Sequence, residues 1–207
     1  MPRSRSIADS DLLDGALAVM RRDGPEGLTF QAVAAETGLA APTLVQRFGS
    51  KRKLMQAALL RAWDLLDAET AVADARAGDG PGGAVDLLTA LSGGYGEKDA
   101  HAEGLLMLRE DFRDPKLRKR GAAWGERLAA VVGRRLGGRG GPRPDLGRLM
   151  IAQWQGVVIW WGFAPVGRLD RVVRQALTGW CAAVGKPVRA GRGTSARPTK
   201  PRGRARA

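Results

Sequence analysis

Apolar residues recur at three- and four-residue intervals along most of this chain, and this spacing is typical of amphipathic helices. Leu13, Ala16, Leu17 and Met20 mark the first such stretch, which Gly24-Pro25 is expected to end. Alanine, leucine, glycine and arginine dominate the composition, while β-branched residues other than valine are sparse. This balance favours helix. We therefore predict an all-α protein of about nine helices.

Two short helices joined by a glycine turn follow the first helix. Thr29 can cap a helix over residues 30–37, because its hydroxyl can accept from the free backbone N–H groups of the first turn. Gly38 supplies the turn, and Pro42 suits the first turn of the next helix, where its missing N–H costs nothing. Together with the upstream helix, these elements predict a helix-turn-helix head over residues 7–50.

The second short helix has one apolar and one polar face. Leu44 and Phe48 lie four residues apart and are expected to point inward. Thr43, Gln46 and Arg47 then point outward, and such side chains can reach base edges and phosphates in a major groove. The residues that we expect at DNA are Thr29, Ala41, Pro42, Thr43, Val45, Gln46, Arg47 and Lys51.

Ser50 and Lys51 begin a much longer helix. Ser50 can cap it, which places Lys51 at the positive N-terminal end of the helix. A lysine gains nothing from the helix dipole at that end, so we expect Lys51 to face an anion such as a phosphate.

The first quarter of the chain resembles the TetR family of bacterial transcriptional regulators. The family usually has an aromatic residue that touches a phosphate where this chain has Val45, and often histidine or tyrosine where it has Arg47. Arg47 can therefore supply the phosphate contact that Val45 lacks. The residues that carry the resemblance are Gly24, Leu28-Thr29-Phe30, Val33-Ala34, Thr37-Gly38, Pro42-Thr43-Leu44, Phe48, Ser50-Lys51 and Leu54.

This resemblance implies a homodimeric, sequence-specific transcriptional regulator that binds a palindromic DNA operator and is released by a small-molecule inducer. A repressor is the expected role. An activator on the same scaffold fits the sequence as well, because the sign of regulation depends on where the operator lies.

Residues 51–185 are predicted to form a helical ligand-binding and dimerisation domain. Asp114-Pro115 has the N-cap and the first-turn proline of a helix start. Leu105, Leu108 and Phe112 fall on one side of a predicted helix. The expected helices cover residues 51–76, 84–92, 99–112, 115–136, 146–163 and 169–184, with a glycine-rich break at 78–83.

The last two predicted helices are too apolar for one small domain to bury, so we expect a second copy of the chain to cover part of them. Gly156 and Gly179 would permit close helix approach. The resemblance implies a four-helix bundle at this place, whereas burial within one chain is the alternative. The expected interface residues are Trp154, Val157, Val158, Trp161, Val173, Leu177 and Trp180.

A small-molecule site among the middle helices is also implied by the resemblance. Aromatic walls with a few polar groups suit a drug-sized ligand, although aromatic residues at helical spacing are also typical of a plain core. The candidate wall residues are Trp63, Tyr95, His101, Met107, Phe112, Trp124 and Trp154.

The formal net charge of +13 is concentrated at the chain ends. Residues 186–207 hold eight Lys or Arg and no acid, and without them the net charge is +5. Arg3 and Arg5, in a basic arm over residues 1–6, account for two more positive charges. The tail over 186–207 has too few bulky apolar residues to fold. The alternative function is therefore a non-specific nucleic-acid-binding protein that acts through its basic ends.

Enzymatic chemistry is not expected. His101 is the only histidine and Cys181 the only cysteine, so we predict neither a metal site nor an intrachain disulfide. The glycine run at 78–83 lacks the Gly-Lys-Ser/Thr of a phosphate-binding loop, and no dinucleotide fingerprint occurs. We predict no cofactor. No signal-like segment and no bilayer-length apolar run is found, so we expect a cytoplasmic protein without membrane contact.

Overall fold

The computed structural model describes residues 7–93 and 98–184, which form nine α-helices and no strand. The predicted all-α architecture is confirmed. The basic arm, the basic tail and Tyr95 lie outside the described residues, as does the side chain of His101. The helices are α1 (Asp9–Gly27), α2 (Phe30–Thr37), α3 (Ala41–Phe48), α4 (Lys51–Arg76), α5 (Gly80–Leu91), α6 (Lys98–Arg113), α7 (Pro115–Gly137), α8 (Pro144–Phe163) and α9 (Leu169–Val184).

The head is built from α1, α2, α3 and the first turns of α4. The helical course of α1 is interrupted at Gly24, with φ 70° and ψ 171°, and Pro25 begins one more turn that ends at Gly27. The prediction that Gly24-Pro25 ends the helix is therefore correct for the kink and wrong for the last turn. Proline needs no N–H partner at the start of that turn.

Local caps fix the first of the two short helices, α2. The Thr29 hydroxyl accepts from the Ala32 backbone N–H at 3.0 Å, and Gly38 ends α2 in the left-handed region with φ 73°. A side chain at Gly38 would be strained in that conformation. The head core lies beneath these caps and contains the fully buried side chains Leu12, Leu17, Met20, Leu28, Leu44 and Leu54.

One long helix, α4, contributes to both hydrophobic cores. Leu54, Ala58 and Leu59 pack in the head core, whereas Ala73 packs in a second core. Trp63, between them, contacts both cores. The second core belongs to the body and is formed with α5, α7, α8 and α9.

Helix α5 begins at Gly80, four residues before the predicted start at residue 84. Pro81 lies in its first turn, where a missing N–H is tolerated. A Cβ at Gly83 would overlap the Gly78 carbonyl, so glycine at this position lets the turn close tightly against the helix. The glycine run is thus partly helical, because proline and glycine here serve a helix start.

A buried arginine closes the end of α4. Arg135 of α7 donates to the backbone oxygens of Asp74 at 2.9 Å and Gly78 at 2.9 Å, and its guanidinium pairs with the Asp74 carboxylate at 2.6 Å. The last carbonyls of a helix have no partner within the helix. Arg135 satisfies one of them, at Asp74, together with the Gly78 carbonyl beyond the helix end, and it ties α4 to α7.

Helices α7 and α8 approach each other closely through glycine. A Cβ at Gly147 of α8 would overlap the Ala129 carbonyl oxygen of α7, and one at Gly133 would overlap the Arg143 carbonyl. Beside this contact, Trp154 is buried and its indole Nε1 donates to the Ser92 hydroxyl at 2.8 Å.

The Gly147→Ala substitution is expected to destabilise the protein by about 1–3 kcal/mol, because the new methyl group must push two backbones apart. The melting temperature should fall by roughly 2–4 °C per kcal/mol. The matched control is Gly125→Ala in α7, where a Cβ meets no atom within 4 Å and helix propensity favours alanine. Differential scanning calorimetry measures the melting temperatures of both variants. Equal melting temperatures would contradict the proposed packing role of Gly147.

Candidate functional site: the recognition helix and the surfaces behind it

The exposed face of α3 is centred on Gln46. Leu44 is fully buried, and at 100° per residue Gln46 lies on nearly the opposite side of the helix. Pro42 and Gln46 are exposed, whereas Ala41 and Thr43 are half-buried. Val45 is exposed on one flank of this face, and Arg47 lies on the other. The expected outward-facing set is therefore placed together on one convex surface.

Arg47 is engaged with the start of α1. Its Nη1 donates to the Ile7 carbonyl oxygen at 3.1 Å and to the Asp9 carboxylate at 3.0 Å. These bonds cross from the last turn of the recognition helix to the first turn of the chain's first helix. Sequence reasoning missed this partner, which lies 38 residues away along the chain.

Lys51 is also bound within the head. Its Nζ donates to the Glu26 carbonyl oxygen at 2.8 Å and lies 4.0 Å from the Glu26 carboxylate. The oxygen that Lys51 faces in this structure is therefore the protein's own. Arg52 and Lys53 follow it and are exposed. Neither was among the residues expected at DNA, although the run of three basic residues at the helix start could have indicated them.

Thr29 serves the fold as the α2 cap, and its hydroxyl oxygen is used by the Ala32 N–H. Ser50 has the same role for α4, accepting from the Lys53 N–H at 3.3 Å. Both predicted caps are present. The free hydrogen of the Thr29 hydroxyl still allows it to donate to an anion, since the cap bond uses only the oxygen lone pair.

Most residues expected at a dimer interface lie in the core of their own chain. Helices α8 and α9 turn these side chains toward α5 and α7, so they have no exposed surface to offer a partner in this structure. Val157 and Trp180 are only partly buried and pack against the same core. The buried ones are Trp154, Val158, Trp161, Val173 and Leu177.

A different apolar stripe is exposed on α8. Trp160 is 72% exposed and Phe163 is 78% exposed, and their rings lie 5.5 Å apart. Leu149 and Ile159 are exposed on the same helix. A Cβ at Gly156 would meet no atom within 4 Å, so this side of α8 is open to a partner.

Helix α9 has an open side as well. A Cβ at Gly179 would meet no atom within 4 Å, and the neighbouring Thr178 and Ala182 are exposed. Small residues let a second helix come close. Gly156 and Gly179 therefore lie on open faces of their helices, whereas Trp154 and Trp161 are buried in the core of their own chain.

Two of the tryptophans expected to line a ligand site, Trp63 of α4 and Trp124 of α7, pack against each other, and each indole N–H has a hydrogen-bond acceptor. The rings of Trp63 and Trp124 lie 5.7 Å apart. Trp124 Nε1 donates to the Thr70 hydroxyl at 3.1 Å, and Trp63 Nε1 donates to the Asp111 carboxylate at 3.1 Å. The Trp63 ring also lies against Gly121, where a Cβ would come within 2.9 Å of it.

The side of α6 that faces the protein is the one carrying Asp111. Met107 packs partly buried against the head core, but Phe112 is 64% exposed, and Leu105 and Leu108 are exposed with it. The apolar side of α6 therefore faces outward in this structure. Asp111, by contrast, is turned toward Trp63 of α4.

The Asp111 carboxyl is partly buried, which disfavours its charged form. Burial raises the pKa of its carboxyl to about 6, the hydrogen bond from Trp63 opposes this rise, and the Asp114 charge adds to it. A cationic group bound near Asp111 would relieve the cost of this carboxylate.

A surface cleft of about 350 Å³ opens between α4 and the end of α6, and Asp111 is not among its lining residues. Gln56 on one wall donates to Asp114 on the other at 2.7 Å. The cleft lies between the first turns of α4, which follow the recognition helix, and the corner where α6 meets α7. Its lining residues are Arg52, Met55, Gln56, Leu59, Glu110, Arg113, Asp114 and Leu117.

Metal-binding clusters and membrane-spanning helices are both absent from the described residues. In residues 7–93 and 98–184, no cluster of three or more His, Cys, Asp or Glu side chains is arranged to hold a metal ion. Within the same residues, every helix is too short or too polar to cross a membrane.

Residues 12–58 match the family model of the bacterial regulatory proteins of the tetR family. The multidrug binding protein EbrR, complexed with imidazole, shares 23% identity over 91% of this chain and 100% of that chain, with a TM-score of 0.60. A transcriptional regulator from Saccharomonospora viridis in complex with choline shares 21% identity over 83% and 93%, with a TM-score of 0.65.

A TetR-family transcriptional regulator from Rhodococcus sp. shares 19% identity over 84% of this chain and 96% of that chain, with a TM-score of 0.58. At these identities the likeness concerns the fold. No curated protein matches the chain. The match over residues 12–58 shows that the head, which carries the exposed face of α3, is similar to the bacterial regulatory proteins of the tetR family.

Proposed function

We propose that the protein is a ligand-responsive repressor that binds a palindromic DNA operator as a homodimer. The observation that carries this proposal is the exposed face of α3, centred on Gln46 and flanked by Arg47, on a head whose core is complete. A recognition helix presented in this way fits a B-DNA major groove. In a dimer the two heads would address half-sites one helical turn or somewhat more apart, about 34–36 Å for a single turn.

The outward residues of α3 have different chemical roles in this proposal. Gln46 is the candidate for base contact, because a glutamine amide can bond adenine in two places. Arg47, Lys51 and Thr29 are candidates for phosphates, which position the helix without reading sequence. Ala41, Pro42, Thr43 and Val45 provide close packing against the groove.

The homodimer is proposed to form through the exposed stripe of α8 and the small-residue side of α9. Trp160 and Phe163 are large apolar side chains left at the surface, and such patches mark interaction sites. Gly156 and Gly179 allow the partner's helices to approach closely. Two helices from each chain would then form a four-helix bundle.

The ligand is proposed to be an organic cation. The support is the half-buried Asp111 carboxylate beside the Trp63–Trp124 pair, since an acid and aromatic faces together attract ammonium-type groups. Imidazole and choline, which occupy the two solved relatives described above, suit such a site. Ligand binding would release the DNA by favouring a dimer whose heads are wrongly spaced, and only by its difference in affinity between the two states.

Selection from random DNA duplexes at physiological salt is expected to enrich a palindrome, with or without residues 186–207. The Gln46→Ala variant should lose preference at one base pair per half-site, costing about 1–3 kcal/mol per contact. Gln31→Ala, on the exposed surface of α2, is the control and should keep the sequence preference. Binding that disappears with the tail and enriches no sequence would favour the non-specific alternative.

Trp160→Asp is expected to raise the dimer dissociation constant at least about 30-fold, because a charge would replace a central apolar contact. Sedimentation velocity over a concentration series measures this change. Val72→Asp introduces the same charge at an exposed apolar position of α4 and should leave the dimer intact. A Trp160→Asp protein that stays dimeric would place the interface elsewhere.

Choline is expected to bind most tightly above pH 7, measured by isothermal titration calorimetry. Its charge does not titrate, whereas Asp111 loses its negative charge as the pH falls through about 6, so affinity should fall up to about tenfold per unit below that. Asp111→Asn should bind at least about tenfold more weakly at pH 7, with little pH dependence.

The matched control for Asp111→Asn is Asp86→Asn, which removes an exposed carboxylate paired with Arg174 of α9. Choline affinity that is equal in wild type and Asp111→Asn would exclude this acid from the site.

A further inference from the structure

The two groups at the start of α1 that accept hydrogen bonds from Arg47 are held in place by the folded head. Ile7, whose carbonyl accepts from Arg47, packs partly buried against the head core. Asp9, the second acceptor, lies in the first turn of α1, where the helix dipole favours a carboxylate. The guanidinium is therefore held by two acceptors whose positions are set by the folded head.

Only one nitrogen of Arg47 is used in this bonding. Both hydrogen bonds to described residues leave from Nη1, and a guanidinium carries five N–H groups in a rigid plane. Within the described part of the chain, no acceptor takes the Nε–H or the Nη2–H groups. A phosphate is bound well by two parallel N–H groups of this kind, and 34% of the Arg47 side chain is exposed.

Asp9 has two opposite effects on an incoming phosphate. Holding the long arginine side chain in one conformation before binding removes an ordering cost worth about two- to tenfold in affinity. The negative charge of Asp9 repels the phosphate, but its side chain is 75% exposed, so solvent and salt reduce that effect to about twofold or less. Ordering is the larger effect.

We propose that Asp9 is a positioning residue of the DNA-binding surface, which holds Arg47 in the conformation that receives an operator phosphate. The inference rests on the proposed function, since it assumes that α3 docks on DNA. It adds a negatively charged residue of α1, outside the two short helices α2 and α3, to the set that determines operator affinity.

The test measures operator affinity for Asp9→Ala and for Asp11→Ala, its matched control. Both acids lie in the first turn of α1, so each substitution removes the same charge from the same helix end. Asp11 has no bond to Arg47; its carboxylate accepts from Ser10 at 3.5 Å. Removing charge alone should leave binding equal or slightly tighter. We expect Asp9→Ala to bind about two- to fivefold more weakly, the ordering gain less the relieved repulsion, and Asp11→Ala not to weaken.

Two further measurements separate positioning from loss of structure. In an Arg47→Ala background, adding Asp9→Ala should cause no further loss, because there is no arginine left to position. Asp9→Asn should retain most of the affinity, since its amide oxygen can still accept from Nη1. The salt dependence of Asp9→Ala should become shallower, approaching that of Arg47→Ala. Melting temperatures of all variants check that the head remains folded.

The inference is overturned if Asp9→Ala binds as tightly as Asp11→Ala, which would mean that the ion pair is idle or competes with DNA. It is also overturned if the loss persists in the Arg47→Ala background. Failure of the wild-type protein to select any DNA sequence would instead remove the proposed function, so the two failures are distinguishable.

Discussion

The structure depends on α4 being one continuous helix that is buried at both ends in different cores. Its 26 residues span roughly 39 Å at 1.5 Å per residue. Leu54 and Ala58 are fixed by the head, and Ala73 is fixed by the body. The recognition helix is connected to α4 by Gly49 and Ser50, and its Leu44 shares the head core with Leu54 of α4. The body therefore sets the direction in which α3 is presented, without touching it.

A series of ion pairs links α7 to α4. Asp67 of α4 pairs with both Arg120 and Arg127 of α7, and Asp74 pairs with Arg135 near the far end. Exposed pairs of this kind contribute little singly, but they repeat along one interface and end in the buried Arg135. A shift of α7 caused by a ligand beside Trp63 would be carried into α4, and α4 continues into the head.

The sequence predicted what depends on neighbouring residues and missed what depends on distant ones. The caps at Thr29, Ser50 and Asp114 are confirmed, because each acts within three residues of itself. The orientation of Trp154 and Phe112 was not predictable, because burial is decided by which helices pack alongside. Of the site, the outward face of α3 followed from helical period. The engagement of Arg47 with Asp9 did not, since it requires the tertiary fold.

The positive charges of this protein can raise its affinity for DNA without adding a preference for one DNA sequence. The eight cations of residues 186–207 would attract any duplex, and an attraction shared by all sequences cancels in the ratio of operator to non-operator binding. In the head, Arg47 and Lys51 are bonded to the protein's own oxygens. Under the proposed function, discrimination then depends on how accurately a few side chains are held on α3. Partners inside the head contribute indirectly, because an arginine held in place fixes the position of α3 on the phosphates while Gln46 is the candidate for reading a base.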